Sequence, residues 1–333
     1  MSKKLEFGLR ELANLIKGQE NFVLGAHIMP DGDALGSLLG LGFLLKNLDK
    51  KVCIGWPKAT KLPPQYSFLP GVELRQKIEK PPFNEGNFIF IALDCSSPDR
   101  LGSLEEIVSK AKQVVNIDHH PRNTQFGTLN LVDERAPATS ELVFRLSRVL
   151  KSELNKNIAT CLYTGLVTDT GRFQYSNTGE RAFEMAQELL KFGLSPTYIF
   201  QRVYENISFG NLKLLGQVLE DAQYLPRIGL VYSQVTQEKL SATGAQMEET
   251  EHFIDYLRSA KEARIAVIFK EMPNSSLRVS LRSKDNVNVG EVAQKFGGGG
   301  HKHAAAFTSN KKMDASLKNL IETLEQAKNV VKG

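Results

Sequence analysis

Short hydrophobic runs alternate with longer amphipathic stretches through the first half of the chain. The runs are apolar at almost every position, which is typical of strands buried on both faces, and they span 22–26, 88–93 and 114–117. Helical patterns lie at 34–48, 139–151, 157–168 and 180–192. Apolar strands that alternate with helices predict a parallel, helix-covered sheet. Gly36, Gly40 and Gly42 in the first of these helices should let it lie close against the sheet.

The second half of the chain has a different order of elements. Its predicted strands, with helices between them, span 230–235, 263–270, 277–282 and 304–308. A helical, connecting pattern that includes Pro196 separates the two halves. We therefore predict an α/β protein with three parts: a parallel-sheet domain at 1–195, a helical linker at 196–223 and a smaller α/β domain at 224–333.

The polar composition limits the classes of function. Charges interrupt the first 22 residues, where Leu5, Leu9, Leu12 and Ile16 have the spacing of a surface helix and not of a signal peptide. No stretch approaches the roughly 20 apolar residues of a membrane span. The three scattered cysteines favour a reducing compartment, so we expect a cytoplasmic protein without a membrane partner. The net charge of +5 has no concentrated basic stretch, which argues against a long nucleic-acid track.

Acidic and imidazole side chains follow each of the three predicted strands of the first half. They are His27, Asp31 and Asp33 after the first strand, Asp94 after the second, and Asp118, His119 and His120 after the third. Ligands bind outside the carboxyl ends of the strands in an open parallel sheet, so these groups should meet at one edge. Asp169, at the end of a predicted helix, is a further candidate.

This set of side chains predicts a metal site. Carboxylates crowded into one crevice repel one another unless cations hold them together. Oxygen-rich sites with a few imidazoles and no thiolate suit Mn²⁺ or Mg²⁺ better than Zn²⁺. Two such ions about 4 Å apart would bind a phosphate and lower the pKa of a bridging water. A single aspartate after a strand is commonly a helix cap, but capping does not explain the histidines.

A second group of residues lies near the C-terminus. Glycines 297–300 precede His301-Lys302-His303, and consecutive glycines expose backbone N–H groups as a phosphate-binding loop requires. The alternative for a bare glycine run is a flexible hinge. Arg278 and Arg282 are four residues apart on a predicted strand and so share a face. Arginine suits phosphate contacts, although exposed strands also carry solvated arginines.

Together these motifs resemble the DHH phosphoesterase superfamily. The segment HIMPDGDALGS at 27–37, Asp94, the triplet at 118–120 and Asp169 are similar to its four motifs, and GGGGH resembles the signature of its associated C-terminal domain. The segments PDRLG at 98–102, NTQFG at 123–127 and YTGLVTDTGRF at 163–173 resemble the bacterial nanoRNase branch. That branch includes bifunctional oligoribonucleases and adenosine 3′,5′-bisphosphate phosphatases, and the resemblance covers nearly the whole chain.

The resemblance implies roles for individual residues. One manganese ion would be held by His27, Asp31 and Asp94. The other would be held by Asp33, Asp94, His119 and Asp169, with Asp94 as the bridge. His120 would contact the scissile phosphate, and Asp118 would orient a neighbouring group. A non-reacting phosphate or base would be bound by Arg282, Ser283, Gly299, Gly300 and His301.

The resemblance also implies a substrate class, namely short oligonucleotides and adenosine 3′,5′-bisphosphate, which would be hydrolysed to mononucleotides with Mn²⁺ or Mg²⁺. A cyclic di-AMP or pApA phosphodiesterase is the alternative enzyme, and a non-catalytic nucleotide sensor is the alternative of another class. A sensor should have lost metal ligands, and every expected ligand is present. Inorganic pyrophosphatases lack the GGGGH domain, and long single-strand exonucleases carry additional domains.

Some properties stay open from the sequence. His303 and Ala306 stand where the family pattern has a smaller polar residue and a glycine, so the choice of substrate is open. The direction of attack on RNA and the preference for RNA or DNA are open too. So is the oligomeric state, with a homodimer among the alternatives.

Overall fold

The computed structural model describes residues 3–57, 61–284 and 287–326. The chain forms two compact units, Met1–Asn206 and Ile207–Gly333, which we call the first and the second unit. Among the described residues no helix combines the length and the apolar character that crossing a membrane requires.

The first unit is built on a five-stranded sheet in which every strand pair is parallel, as the apolar runs predict. Its strands are β1 (Asn21–Ala26), β2 (Lys51–Gly55), β3 (Ile89–Leu93), β4 (Gln113–Asp118) and β5 (Leu129–Val132), in the order β2-β1-β3-β4-β5. Its helices are α1 (Lys3–Gly18), α2 (Gly32–Asn47), α3 (Glu105–Val108), α4 (Thr139–Leu150), α5 (Lys156–Asp169), α6 (Glu180–Leu190) and α7 (Pro196–Tyr204). Helix α1 buries Leu5, Leu9, Leu12 and Ile16, the face that its spacing predicts.

Helix α2 is buried on almost all sides, and its glycines explain how it is packed. A Cβ on Gly36 would lie 2.4 Å from the Cys161 carbonyl oxygen of α5, and one on Gly40 would lie 2.6 Å from Leu162. The expectation that all three glycines face the sheet is therefore wrong for these two, which bring α2 against α5. Gly42 does face the sheet, because a Cβ there would lie 2.4 Å from Ile54 of β2.

The second unit contains a six-stranded mixed sheet in the order β10-β11-β9-β8-β7-β6, with β7 and β8 parallel and the other pairs antiparallel. Its strands are β6 (Gln223–Leu225), β7 (Leu230–Val235), β8 (Ile265–Glu271), β9 (Leu277–Ser283), β10 (Gly299–His301) and β11 (Ala304–Ser309). Its helices are α8 (Phe209–Glu220), α9 (Gln237–Thr243), α10 (Phe253–Ser259), α11 (Val289–Gln294) and α12 (Met313–Gln326). The segment predicted as a linker, 196–223, contains α7 of the first unit and α8 of the second.

The two faces of this second sheet are covered to different extents. On one face, side chains of β8, β9 and β11 such as Phe269, Val279 and Phe307 form a core with α11 and α12. On the other face, α8 and α10 pack against β7 and β8, where Ala266 and Ile268 are buried. Helix α10 also contacts β9, but Arg278, Ser280 and Arg282 on this face of β9 stay partly exposed, and Thr308 of β11 is exposed.

Candidate functional site

The carboxyl edge of the first sheet collects the side chains that the sequence singled out. His27 follows β1, Asp94 follows β3, and Asp118 ends β4. Asp31 caps α2, since its Oδ1 accepts hydrogen bonds from the backbone N–H groups of Asp33 (3.1 Å) and Ala34 (3.0 Å). The capping function that is the alternative to a metal role is therefore present at Asp31, and it uses one of the two carboxylate oxygens.

Asp94 lies at the centre of the cluster and is only 3 % exposed. Its Oδ2 is 3.6 Å from Nε2 of His27, and its Oδ1 is 3.6 Å from Nδ1 of His120 and 3.8 Å from Nε2 of His119. The backbone of Asp94 has a φ of 55°, in the left-handed region that a non-glycine residue adopts at a cost. This turn directs the carboxylate into the crevice directly after β3.

His119 connects Asp94 to two further carboxylates. Its Nε2 lies 3.4 Å from Asp169 Oδ2 and 3.9 Å from Asp33 Oδ2, while its Nδ1 is 3.2 Å from the Ala136 carbonyl oxygen. With Nδ1 donating to that carbonyl, Nε2 carries the lone pair that faces the carboxylates. Two atoms that bind one ion at about 2–2.5 Å are commonly roughly 3–4 Å apart, which is the separation found here.

Among the described residues, two of the groups of close ligand atoms consist only of the predicted metal ligands. One comprises His27, Asp31 and Asp94, and the other comprises Asp33, Asp94 and His119, and within each group the ligand atoms lie no more than 4.8 Å from one another. Asp94 belongs to both groups, and Asp169 borders the second through His119. The donors are carboxylate oxygens and imidazole nitrogens, a set that fits hard divalent cations.

The electrostatics of the cluster also fit a cation. Burial raises the pKa of Asp33 well above its usual range, and the negative charge of Asp94 raises it further. The pKa of Asp169 is raised well above its usual range by burial and by Asp94 as well. Burial alone would raise the pKa of Asp94, but His27, His120 and His119 outweigh it and hold that pKa below the usual range. Positive charge placed between these groups would stabilise all three carboxylates.

Asp118 and His120 form a separate pair at the side of this cluster. Nδ1 of His120 donates to Oδ1 of the fully buried Asp118 at 2.7 Å, and Asn123 Nδ2 donates to its Oδ2 at 2.6 Å. Burial works to lower the pKa of His120, but the charges of Asp118 and Asp94 raise it to about 10. The imidazole is thus held as a cation beside Asp94, and Asp118 fixes the orientation of its ring.

The N-terminus of α4 holds two of the carboxylates, a feature that sequence reasoning missed. The backbone N–H groups of Thr139 and Ser140 donate to Asp33 Oδ2 (2.6 Å) and Oδ1 (2.9 Å). The hydroxyl of Thr139 donates to Asp94 Oδ1 at 2.9 Å. Helix N-termini favour anions, so α4 stabilises Asp33. Threonine and serine at a predicted helix start are the signal that could have pointed to it.

The predicted substrate residues of the second unit divide between the two faces of its sheet. Arg282 pairs with Ala304, which pairs with His301, so Arg282 and His301 share a face and a row. Ser283 lies on the opposite face of β9, where its hydroxyl donates to the Val287 carbonyl at 2.7 Å. Gly299 is on the face of Arg282, and Gly300 is on the other.

The last two residues of the glycine run have a defined strand conformation. Gly299 and Gly300 belong to strand β10, which pairs with β11. Gly300 has a φ of 140°, and a Cβ there would lie 2.4 Å from the Ala304 carbonyl oxygen. A larger residue at this position would therefore force the β10–β11 hairpin apart.

Comparisons with known proteins identify the relatives of this chain. Residues 21–166 match the model of the DHH family N-terminal domain, and residues 228–330 match that of the DHHA1 domain. The chain is 32 % identical over 323 residues to a bifunctional oligoribonuclease and PAP phosphatase NrnA of Thermus thermophilus, covering 96 % of this chain and 94 % of that one. It is 26 % identical to the cyclic-di-AMP phosphodiesterase PdeA of Listeria monocytogenes, over 90 % of this chain and 46 % of that one.

A solved structure extends the similarity to the whole fold. The crystal structure of an exopolyphosphatase-related protein from Bacteroides fragilis superimposes with a TM-score of 0.89 at 26 % identity, covering 98 % of each chain. The two domain matches, together with the sequence identity to a relative over almost its full length, identify the family of this chain. The chain belongs to the DHH family, with a DHH N-terminal domain followed by a DHHA1 domain.

Proposed function

We propose that this protein is a metal-dependent phosphoesterase that hydrolyses short oligonucleotides, and also adenosine 3′,5′-bisphosphate, to mononucleotides. The observation that carries the proposal is the pair of ligand groups that share Asp94 at the carboxyl edge of the first sheet. The similarity to a bifunctional oligoribonuclease and PAP phosphatase over almost the whole chain supports the substrate class.

In this proposal the cluster holds two divalent ions. His27, Asp31 and Asp94 hold one, and the other is held by Asp33, Asp94, His119 and Asp169. Mn²⁺ is the preferred ion, with Mg²⁺ as a substitute, because the donors are oxygen and imidazole without thiolate. Ions held by these residues would activate the attacking water and would stabilise the charge of the phosphate.

His120 acts on the phosphate from the side of the cluster. Held protonated by Asp118, its imidazolium donates to a non-bridging oxygen of the scissile phosphate and stabilises the charge that develops there. Asn123 and Asp118 keep this ring in a fixed orientation, which lowers the reorganisation needed during reaction. Asp118 therefore acts through His120 and does not touch substrate.

The second unit contributes recognition. Arg282, Gly299 and His301, which share one sheet face, bind a non-reacting phosphate or base of the nucleotide. Ser283 points to the opposite face, so in this proposal it shapes the β9–β10–β11 region, and Gly300, which has no side chain, allows β10 to lie close to β11. The free thiols of Cys53, Cys95 and Cys161 are buried, which agrees with a reducing compartment such as the cytoplasm.

Cyclic di-AMP hydrolysis is the second candidate, and the similarity to PdeA over 90 % of this chain favours it. The deciding experiment measures initial rates on a diribonucleotide, adenosine 3′,5′-bisphosphate, cyclic di-AMP and pyrophosphate. Each substrate is tested with Mn²⁺, Mg²⁺, Zn²⁺ or chelator.

We expect the diribonucleotide with Mn²⁺ to give the highest kcat/KM and chelation to abolish turnover. A higher kcat/KM for cyclic di-AMP would replace the proposed substrate. Binding of nucleotides without turnover of any substrate would mean that the protein is a sensor. Full activity in chelator, with no metal found by elemental analysis, would overturn the metal-dependent mechanism.

A further inference from the structure

The open face of the second sheet carries two cationic rows. The register pairs Lys270 of β8 with Arg278 of β9, and Arg278 with Thr308 of β11, and we call these three residues the distal row. Residues paired across strands point to the same face. By the same register the distal row shares its face with Arg282 and His301.

Between the two rows lies a strip of small side chains. Ser280 pairs with Ala306, which pairs with Gly299. Ser280 and Ala306 are partly exposed and Gly299 is exposed, although α10 also packs against β9, where its Asp255 interacts with Arg282. The strip is therefore a surface of small residues between Arg282 and the distal row.

The position of Lys270 is costly for the folded protein. The residue is only 7 % exposed. Burial lowers the pKa of Lys270 to about 8; Glu251 opposes that shift, and the charges of Arg278 and Arg282 add to it. An apolar residue would fit a buried position of β8 better than an ammonium that is paired with Arg278 across the strands. A bound anion would add to the compensation that Glu251 provides for Lys270 and Asp255 provides for Arg282.

We propose that the distal row is a second phosphate subsite, which binds an oligonucleotide backbone beyond the nucleotide held at Arg282. Arg278 and Arg282 are four residues apart on β9, about 13 Å at the strand rise of about 3.3 Å per residue. That distance exceeds the separation of neighbouring phosphates in one strand and is within the reach of two nucleotides. This inference rests on the proposed function and specifies its substrate as oligonucleotides longer than a dinucleotide.

The chemistry of the row selects a phosphodiester. Arg278 offers paired donors, Lys270 offers a point charge, and the exposed Thr308 offers a hydroxyl, all suited to phosphate oxygens. The distal row and the strip contain no aromatic side chain on which a base could stack. The subsite should therefore bind the backbone of the strand without regard to its base sequence.

The kinetic test compares a tetraribonucleotide with a diribonucleotide on the doubly substituted protein Lys270→Met/Arg278→Met. Removing a charged hydrogen bond to the ligand lowers kcat/KM by roughly ten- to a hundredfold. We expect the ratio of kcat/KM for the tetranucleotide over the dinucleotide to fall by about tenfold or more. Lys318→Met removes a charge from α12, on the other side of the sheet, and should not change this ratio. An unchanged ratio in the double variant would overturn the proposal.

A binding measurement in chelator separates the subsite from catalysis. We expect fluorescence anisotropy of a labelled tetranucleotide to show weaker binding to the double variant. The slope of log K against log salt should be shallower by about 0.7 for each phosphate that the variant no longer neutralises. If wild-type protein binds the tetranucleotide through this row but hydrolyses no oligonucleotide, the proposed function fails and the subsite stands. Equal affinity and slope in both proteins would remove the subsite, whatever the activity.

Thermal denaturation gives an independent readout for Lys270. Removing a buried cation should raise the melting midpoint of Lys270→Met, while binding of the tetranucleotide weakens. Residues that serve binding at the expense of stability behave in this way. A midpoint that falls would assign Lys270 to folding and would also overturn the proposal.

Discussion

The edge of the first sheet and the open face of the second present polar groups in opposite ways. At the first, the groups emerge from strand ends into a buried crevice, where Asp94, Asp118 and His119 are at most 3 % exposed. At the second, Arg278 and Arg282 project from one face of β9, one near each end of the strand, and are partly exposed. Catalytic groups need fixed positions, whereas contacts to a ligand's backbone tolerate small displacements. In the proposed function, the residues of the first region carry out the reaction and those of the second region recognise the substrate.

The hydrogen bonds that hold these side chains in position also differ between the two regions. In the first unit, backbone N–H groups hold both carboxylate oxygens of Asp33, and the partly buried side chains of His120 and Asn123 hold both of those of Asp118. In the second unit, Arg282 donates to its own neighbour, the Leu281 carbonyl, at 3.1 Å. Substitutions in the first region should thus alter metal binding and kcat, and substitutions in the second should act on the length and type of substrate.

Asp94→Asn should have the largest effect. Asparagine tolerates the left-handed backbone at this position, so the fold should survive while the shared carboxylate is removed. We expect kcat to fall by several orders of magnitude and calorimetric titration with Mn²⁺ to lose both high-affinity sites. The exposed Asp99→Asn is the matched control and should behave as wild type. A near-normal kcat would exclude Asp94 as the shared ligand.

Arg282→Ala should be next in size and should leave metal binding intact. The removal of one charged hydrogen bond costs about 1.5–3 kcal/mol, or roughly ten- to a hundredfold in kcat/KM on a diribonucleotide. A small chromogenic phosphodiester without a second nucleotide should be hydrolysed almost as fast as by wild type. If Arg282→Ala instead releases Mn²⁺, or slows both substrates equally, the division between reaction and recognition is wrong.

The sequence predicted the interior strands of both sheets and missed the edges. Strands β2 and β5 are the edges of the first sheet, and β6 and β10 are the edges of the second. An edge strand has a neighbour on one side and is less buried, so its sequence lacks the continuous apolar run that reveals β1 or β3. Strand β10 was also hidden by its composition, because Gly299 and Gly300 suggested a loop.

The candidate site could be predicted where side chains follow strands and not where backbone supplies the contact. His27, Asp94 and Asp118 stand directly at strand ends, so the pattern located them. Thr139 and Ser140 at a predicted helix start could indicate an anion site. Their residue types do not show, however, that Asp33 is the acceptor of their backbone N–H groups. The placement of Ser283 on the far face depends on strand alternation, which a motif match does not take into account.

Arg181→Met tests whether contacts beyond the crevice also help to hold the metal ligands in position. Arg181 donates to both oxygens of the fully buried Glu141, at 2.9 and 2.5 Å, and to Asp133 at 2.6 Å. Glu141 follows Ser140 in α4, so this network fixes the helix end that holds Asp33. We expect a decrease of about 3 kcal/mol in the free energy of unfolding and about tenfold in Mn²⁺ affinity.

The matched control for that network is Arg148→Met. Arg148 pairs with Glu184 at 2.8 Å, and both side chains are more than 40 % exposed, so its removal should cost less than about 1 kcal/mol. Chemical denaturation and Mn²⁺ titration of both variants measure the difference. If Arg181→Met loses stability while its Mn²⁺ affinity stays unchanged, the network supports the fold and has no influence on the site.

Thr139→Val should have the smallest effect, and it tests most directly whether Asp94 must be held in a fixed position. Valine keeps the buried shape of threonine and removes the hydroxyl that donates to Asp94 Oδ1, while the backbone N–H of residue 139 still holds Asp33. One hydrogen bond of about 1 kcal/mol predicts a decrease of about fivefold in kcat/KM at limiting Mn²⁺. Thr164→Val, which removes a hydroxyl bonded to the Thr160 carbonyl within α5, is the control and should leave the Mn²⁺ dependence unchanged. Equal Mn²⁺ dependence of Thr139→Val and wild type would mean that the crevice tolerates displacement of Asp94, and the contrast with the open face of the second unit would no longer hold.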